Sequence, residues 1–515
     1  MFMLKKTIAL FSLCLLLPMG MRAQDIYTLE NFSKEDLNGT ARYVGMGGAM
    51  SALGGDLSVM SSNPAGIALY RSSDVAATLS FNTLEDAEKF DGKGKSHLSF
   101  DQIGLVYAIN VGDNTCRFLN LGFNYHKQKN FNQLLNAGFR PNNYASQTWQ
   151  MADLSEYWGE PKKATPLANM GWETYLLGVD DNNQYSAFGA SSSAYQKAQW
   201  GSIQSYDFNI STNLSEQFYL GLTIGAVNVD YNSYALYREN LIYDDLADAG
   251  KYSLSNNLDL SGNGFNVKFG FIARPIASSA FRVGASFSSP TYYNLKMKSY
   301  SRLVANYSDD NSQYDHYTEV GGYEYNIHTP WKFNFSLGHI LAKCIAIGAE
   351  YEYSDYSTAK VTYDDGYDYM GWGFDETDDH DLNAQAGRHL KGVSTYKLGL
   401  EWMIDPNFSL RCGYNYVSSP FKKGAYANQF INSASLDYTT TTDYMNLSGI
   451  NRFTIGLGLK FGSFYADAAC QYQHQSGHFY PFNLQYGEDG AINDGPSSKL
   501  NLSRTQVMFT FGYRF

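Results

Sequence analysis

Beyond residue 23 the chain has no run of about eighteen or more apolar residues, so no transmembrane helix of ordinary length follows its amino terminus. Cysteine is scarce, five in 515 residues, and Cys14 lies in an amino-terminal apolar stretch with no small residue just before it, against a lipoprotein anchor. The others, Cys116, Cys344, Cys412 and Cys470, are far apart, each in or beside a strand-like run. That spacing argues for small apolar fillers, not a disulfide framework. An excess of positive charge is also missing. The formal net charge is −12, which excludes nucleic acid and charge-driven binding of anionic head groups. An anionic exterior is compatible with a surface held by divalent cations. No nucleophile, base and orienting acid recur at usable spacing, so an enzyme is not expected. Gly45-Met46-Gly47-Gly48 lacks the preceding strand and following apolar helix of a dinucleotide loop.

What the chain has in quantity is Tyr (42), Phe (32) and Gly (47), a β-rich, aromatic-rich usage. Residues 1–23 read as a secretory signal, with Lys5 and Lys6 before the apolar run 8–17 and a small-residue site at Ala23. From Asp74 onward come runs of about ten residues with alternating polarity, the length and period of a tilted bilayer-crossing strand. They centre on 75–81, 103–109, 119–125, 206–210, 220–226, 265–273, 281–287, 331–337, 345–353, 396–402, 410–416, 453–461, 464–472 and 507–515. In 453–461 the apolar set is Phe453, Ile455, Leu457 and Leu459, with Thr, Gly and Lys between. One face suits lipid and the other a packed polar interior.

Connection lengths alternate as well. Short links at 110–115, 212–216, 274–280, 339–343, 404–408 and 461–464 interleave with long ones at 82–97, 130–199, 231–257, 300–329, 364–389, 420–450 and 476–501. Short turns at one end and long loops at the other mark a closed outer-membrane barrel, whereas a soluble sandwich has no reason to segregate loop length by end. The expected fold class is therefore all-β, a transmembrane antiparallel barrel of about fourteen strands. Its last strand places Val507, Phe509, Phe511, Tyr513 and Phe515 on one face.

Residues 41–69, ARYVGMGGAMSALGGDLSVMSSNPAGIAL, fit neither strand nor long-helix periodicity. Dense glycine and a proline-fixed bend at Asn63-Pro64-Ala65-Gly66 suit a compact plug packed backbone to backbone. This stretch resembles the N-terminal hatch of the FadL/TodX family, outer-membrane barrels that import long-chain fatty acids and other hydrophobic molecules. The resemblance recurs at Thr329-Pro330-Trp331 and in the terminal strand. It implies a signal peptide (1–23), a hatch (24–72) and a transmembrane barrel (73–515). It further implies a gating turn at Asn63, Pro64, Ala65 and Gly66, and recognition by the barrel assembly machinery through the Phe515 strand. The family also distorts its third strand for sideways exit of ligand, and here Gly122 is the residue that eases a bulge. Residues 24–40 look like an irregular polar leader into the plug.

The longest link, 130–199, is too apolar for a solvated loop. Phe131, Leu134, Leu135, Phe139, Trp149, Leu154, Trp158, Met170 and Trp172 are its candidate ligand-binding residues, with short amphipathic helices expected at 134–139 and 151–158. The resemblance implies that such external loops capture the ligand and pass it to a pocket beside the hatch. The expected function is passive transport of hydrophobic molecules such as long-chain fatty acids by a monomer among outer-membrane lipid and lipopolysaccharide, with no cofactor or metal. Two rivals follow from other features. His474 and His478, with His380 and His389, raise a haem-binding receptor, and a structural or adhesive surface barrel uses the same architecture. The carboxylate-rich run 364–381 reads as a solvated face without calcium-loop spacing.

Overall fold

The structure is a computed structural model that describes residues 25–515 except 86, 113–115, 142, 368–373, 432, 434–438, 487–490 and 494. The signal at 1–23 and the middle of the acidic run 364–381 lie outside the described residues. Fourteen antiparallel strands close into a barrel. They are β1 (Asp74–Leu84), β2 (Ser96–Asn110), β3 (Cys116–Asn130), β4 (Gly189–Leu214), β5 (Phe218–Ile242), β6 (Asp248–Ala273) and β7 (Arg282–Ser288), followed by β8 (Lys332–Leu341), β9 (Ile345–Asp355), β10 (Gly392–Asp405), β11 (Phe408–Val417), β12 (Tyr444–Phe461), β13 (Phe464–Tyr480) and β14 (Ser498–Arg514). Closure runs through β14, which pairs with β13 on one side and with β1 on the other, Val75 facing Tyr513. The terminal strand is thus not a free edge.

Alternation sets the two faces. On β8, Phe333, Phe335 and Leu337 are exposed while Asn334 and Ser336 are buried, and on β12 Phe453, Ile455, Leu457 and Leu459 point outward while Arg452 and Thr454 point in. An apolar exterior belt around a hydrogen-bonded, edge-free wall is the arrangement that hydrocarbon tolerates. The barrel is a membrane-spanning one of the outer-membrane kind.

The wall is far taller than a bilayer on one side. β4 and β6 have 26 residues each, about 85 Å at roughly 3.3 Å per residue, against a hydrocarbon core of about 30 Å. The segments 231–257 and 300–329, expected as loops, are therefore mostly strand: β5 runs to Ile242 against β6, and Tyr292–Tyr307 pairs with Gln313–His328. Above the membrane the outer face is polar and the inner face carries Tyr231, Tyr237, Tyr252, Leu254, Leu260, Tyr293 and Leu295, all buried. These pack onto the helices Gln147–Trp158, Pro166–Glu173 and His380–His389, capping the barrel mouth with one hydrophobic core.

Other expectations change too. Residues 134–139 are strand (Gln133–Phe139), because they add to β4 in continuous register, whereas 151–158 do lie in a helix, Gln147–Trp158. The polar leader contains a helix, Ile26–Ser33, whose Asp25 cap accepts from Thr28 N at 2.7 Å and whose Ile26, Leu29 and Phe32 are buried. Gly122 stands in regular pairing between Val106 and Asn209, and the irregularities of β3 fall instead at Cys116/Phe118 and Lys127/Lys129. A methyl group at position 122 would strike Met60 of the hatch, so this glycine makes room for the plug and not for a bulge. Cys116, Cys344, Cys412 and Cys470 are free thiols.

Candidate functional site

The hatch makes one lap around the inside of the wall, visiting the strands in reverse order. Ala41 N donates to Thr510 Oγ1 on β14 (2.7 Å), Thr454 Oγ1 on β12 to Gly45 O (3.1 Å), and Asn415 Nδ2 on β11 to Gly47 O (3.4 Å). Ser51 N then meets Glu350 Oε2 on β9 (3.3 Å), and Arg282 Nη1 and Ser286 Oγ on β7 meet Leu53 O (2.7 Å) and Ser62 O (2.6 Å). The circuit ends with Asn120 Nδ2 on β3 donating to Ile67 O (2.7 Å). Backbone polar groups of an irregular segment are thereby satisfied inside the lumen, where water is excluded.

A row of wall glycines lets the backbone come this close. Gly338, Gly348, Gly399 and Gly413 are direct cross-strand partners on β8 to β11, and residues 46–53 of the hatch run along them. A Cβ at position 348 would overlap the Ala49 carbonyl, and one at 399 the Met46 carbonyl. Charge adds a second bolt. Arg42 of the hatch forms a fork with Glu401 (Nε–Oε1 3.1 Å, Nη2–Oε2 2.7 Å), and Arg411 joins Glu401 (2.9 Å) to Asp467 (2.5 Å). Pairing of this kind offsets part of what it costs to take each group out of water.

Asn63, Pro64, Ala65 and Gly66 sit in this ring and are all buried. Asn63 Oδ1 caps Ala65 N (3.1 Å) at the start of the 3-10 turn Pro64–Leu69, its Nδ2 donates to Phe271 O (3.3 Å), and Asn209 Nδ2 donates to Pro64 O (3.4 Å). Gly221 and Gly270 of the wall face Pro64 and Asn63 without room for a side chain.

Above the hatch lies a cavity of ≈ 560 Å³ between the leader helix, the upper wall and the cap. Its apolar lining includes Ile26, Phe32, Phe131, Leu134, Leu135, Leu258, Leu260, Met297, Leu447, Leu500 and Leu502. Polar and charged groups line it as well, among them the pair Lys197–Asp443 (2.8 Å) and Lys34, whose Nζ donates to Gln475 Oε1 (3.2 Å). Of the sequence candidates, Phe131, Leu134 and Leu135 line this space. Phe139, Trp149, Leu154, Trp158, Met170 and Trp172 do not. Phe139, Trp149, Met170 and Trp172 belong to the large cap core, and Leu154 and Trp158 to a small cluster with Phe430. The leader helix, with apolar residues only at Ile26, Tyr27, Leu29 and Phe32, and the leucines of β6, β12 and β14, set singly between polar residues, give too weak a periodicity to mark a site in the sequence.

The leader continues downward as a partition. Asp36 N donates to Gln128 O (3.0 Å), Asp36 Oδ2 accepts from Asn130 N (3.0 Å), Arg504 Nη2 lies 3.2 Å from Asp36 Oδ1, and Glu35 pairs with Lys332. Burial raises the Asp36 carboxyl, but Arg504 and Arg452 more than reverse this and hold it at about 2. Beneath the partition is a second space of ≈ 110 Å³. The histidines do not converge: His474 and His478 line neither space, His474 Nδ1 being 2.9 Å from Ser503 Oγ, while His389 Nε2 is 3.0 Å from Gln385 Oε1. Among the described residues no three His, Cys, Asp or Glu side chains are grouped to hold a metal ion.

No family model and no curated protein matches the chain. Solved structures that it resembles include the Pseudomonas putida toluene transporter TodX, 12% identical with a TM-score of 0.49 over 93% of this chain and 99% of that one. The CymD monoaromatic hydrocarbon channel is also 12% identical, at a TM-score of 0.48 over 93% and 98%. A Pseudomonas aeruginosa FadL homologue is 11% identical, at a TM-score of 0.48 over 96% of this chain and all of the other.

Proposed function

We propose that this barrel is a passive outer-membrane importer of hydrophobic and amphiphilic small molecules, long-chain fatty acids or compounds of similar build. The observation that carries the proposal is the cavity of ≈ 560 Å³, lined by apolar and polar side chains together, held over the hatch and under the cap. A polar outer leaflet resists apolar solutes, and the apolar part of the chamber's lining offers them burial worth about 25 cal/mol per Å² before ordering costs. Meanwhile the hatch, bonded to the wall around its whole lap, keeps ions and water from following. In this proposal the cap collects ligand, Phe131, Leu134 and Leu135 hold it, and the turn Asn63–Gly66 yields or stays as the ligand passes.

The test is uptake of a labelled fatty acid and of labelled toluene by cells with and without the protein. Uptake of at least one is expected to depend on the protein and to fall in Phe131→Ala. Equal uptake of both at matched expression would sink the proposal.

A further inference from the structure

The lower chamber, like the cavity above it, is lined by polar and apolar groups together. Phe32, Lys34 and Asp36 line both, so only this one segment separates them. Among its lining atoms Ser33 Oγ, Ser62 Oγ, His126 Nδ1, Asn266 Oδ1, Asn334 Oδ1 and Arg452 Nη2 are buried and have no hydrogen-bond partner among the described residues. Arg452 is 2% exposed. Its Nε and Nη1 are engaged by Gln473 (2.9 Å) and Asn415 (3.0 Å), whereas Nη2 stands 4.0 Å from Asp36 Oδ1. Buried polar atoms left unpaired are costly, and their gathering around one small space calls for a group that satisfies them.

The set is mixed: two amide oxygens that accept, one guanidinium nitrogen that donates, and two hydroxyls and an imidazole nitrogen that do either. An anion would answer the donors but leave both amide oxygens unpaired. It would also face Glu35, Asp36 and Glu352, which line the same space. Each cation of the lining also has a carboxylate beside it: Lys397 has Glu350 (2.6 Å) and Glu352 (3.2 Å), Lys268 has Asp207 (3.4 Å), Lys332 has Glu35, Lys34 has Glu30 (4.0 Å) and Arg452 has Asp36 (4.0 Å). A hydroxyl group donates and accepts at once, and ≈ 110 Å³ is space for a small head bearing one or two of them.

Building on the importer proposal above, we infer that the lower chamber receives the polar head of the substrate, and that this head is uncharged and hydroxyl-bearing: the barrel selects neutral amphiphiles over free carboxylates. The test uses the full chain in lipid nanodiscs and displacement of an environment-sensitive hydrophobic probe by 1-dodecanol, dodecanoate at pH 8, or dodecane. Dodecanol is expected to bind about tenfold more tightly than either, the yield of one to two hydrogen bonds. Asn266→Leu and Ser33→Ala should each bring dodecanol close to dodecane while leaving dodecane unchanged, and Ser33→Ala serves alone if the wall variant fails to fold. Dodecanoate binding as tightly as dodecanol would overturn the inference and leave the importer standing. Equal binding of dodecanol and dodecane, unmoved by the variants, would overturn it by showing a chamber that holds water only. If none of the three displaces the probe, the importer proposal falls and this inference with it.

Discussion

Placing a methyl group at Gly348 is the sharpest perturbation of the seal. The new Cβ would overlap the Ala49 carbonyl oxygen and lie 3.3 Å from Leu53 Cδ1. Backbone meets backbone here, so no side chain can rotate away. Neighbouring contacts block a local shift: the hatch is held at Gly399 against Met46 on one side, and on the other at Gly338, whose own Cβ position is 3.1 Å from Leu53 N. Overpacking of this kind costs about 2 kcal/mol, which moves the equilibrium between seated and unseated hatch roughly thirtyfold. Conductance in planar bilayers reads the change directly, because an unseated hatch leaves an ion path. Wild-type protein is expected to be nearly silent, Gly348→Ala to show frequent openings, and Gly138→Ala, whose Cβ would meet nothing within 4 Å, to match wild type. If folded Gly348→Ala and Gly270→Ala barrels both stay as silent as wild type, the hatch is not docked on the glycine row and the account of the seal is wrong.

Three further outcomes are expected. Glu401→Gln leaves Arg42 and Arg411 without their shared carboxylate and should cost the seated hatch about 3 kcal/mol, seen as trypsin cleavage at Arg42 in intact barrels where wild type resists. In the cap, burial raises the Asp153 carboxyl to about 6, so the folded cap favours its neutral form. Its stabilising effect is complete below about pH 4 and is lost as pH climbs through 6. Asp153→Asn should therefore slow proteolysis of the helix Gln147–Trp158 at pH 7.5, by about 1–2 kcal/mol after allowance for partial solvation, with no difference at pH 4. Asp25→Ala removes the cap of the leader helix at the cost of about 1 kcal/mol and should speed amide exchange in Ile26–Ser33 roughly fivefold without altering exchange in β14.

How much of this was legible in the residues follows from where alternation is a one-face signal. Within the bilayer each strand sets Phe, Leu or Ile against Gly, Ser or Asn, and all fourteen apolar runs fall in wall strands to within one residue, from 75–81 in β1 to 507–515 at the end of β14. Above the bilayer the outer face becomes polar and the inner face tyrosine-rich. Tyr231, Ala235, Tyr237 and Leu241 still alternate along β5, but against Asn232, Leu236 and Asn240 the contrast is too weak to read as a strand, and a loop was expected. Residues 134–139 read in the sequence as a short amphipathic helix. Tertiary pairing with β4 decided otherwise, as it commonly does for short apolar runs.

The glycines show the limit most clearly. Gly338, Gly348, Gly399 and Gly413 each stand on an inward face, and singly each looks like a small residue on the polar side of a strand. Their meaning is collective: it depends on the register that sets them side by side across β8 to β11, and register is a property of pairing between strands far apart in sequence. The hatch signature at 41–69 declared that backbone would pack closely against something. Only the paired wall identifies that something as a glycine row, and hence the seal as a backbone contact, which a single methyl group is enough to spoil.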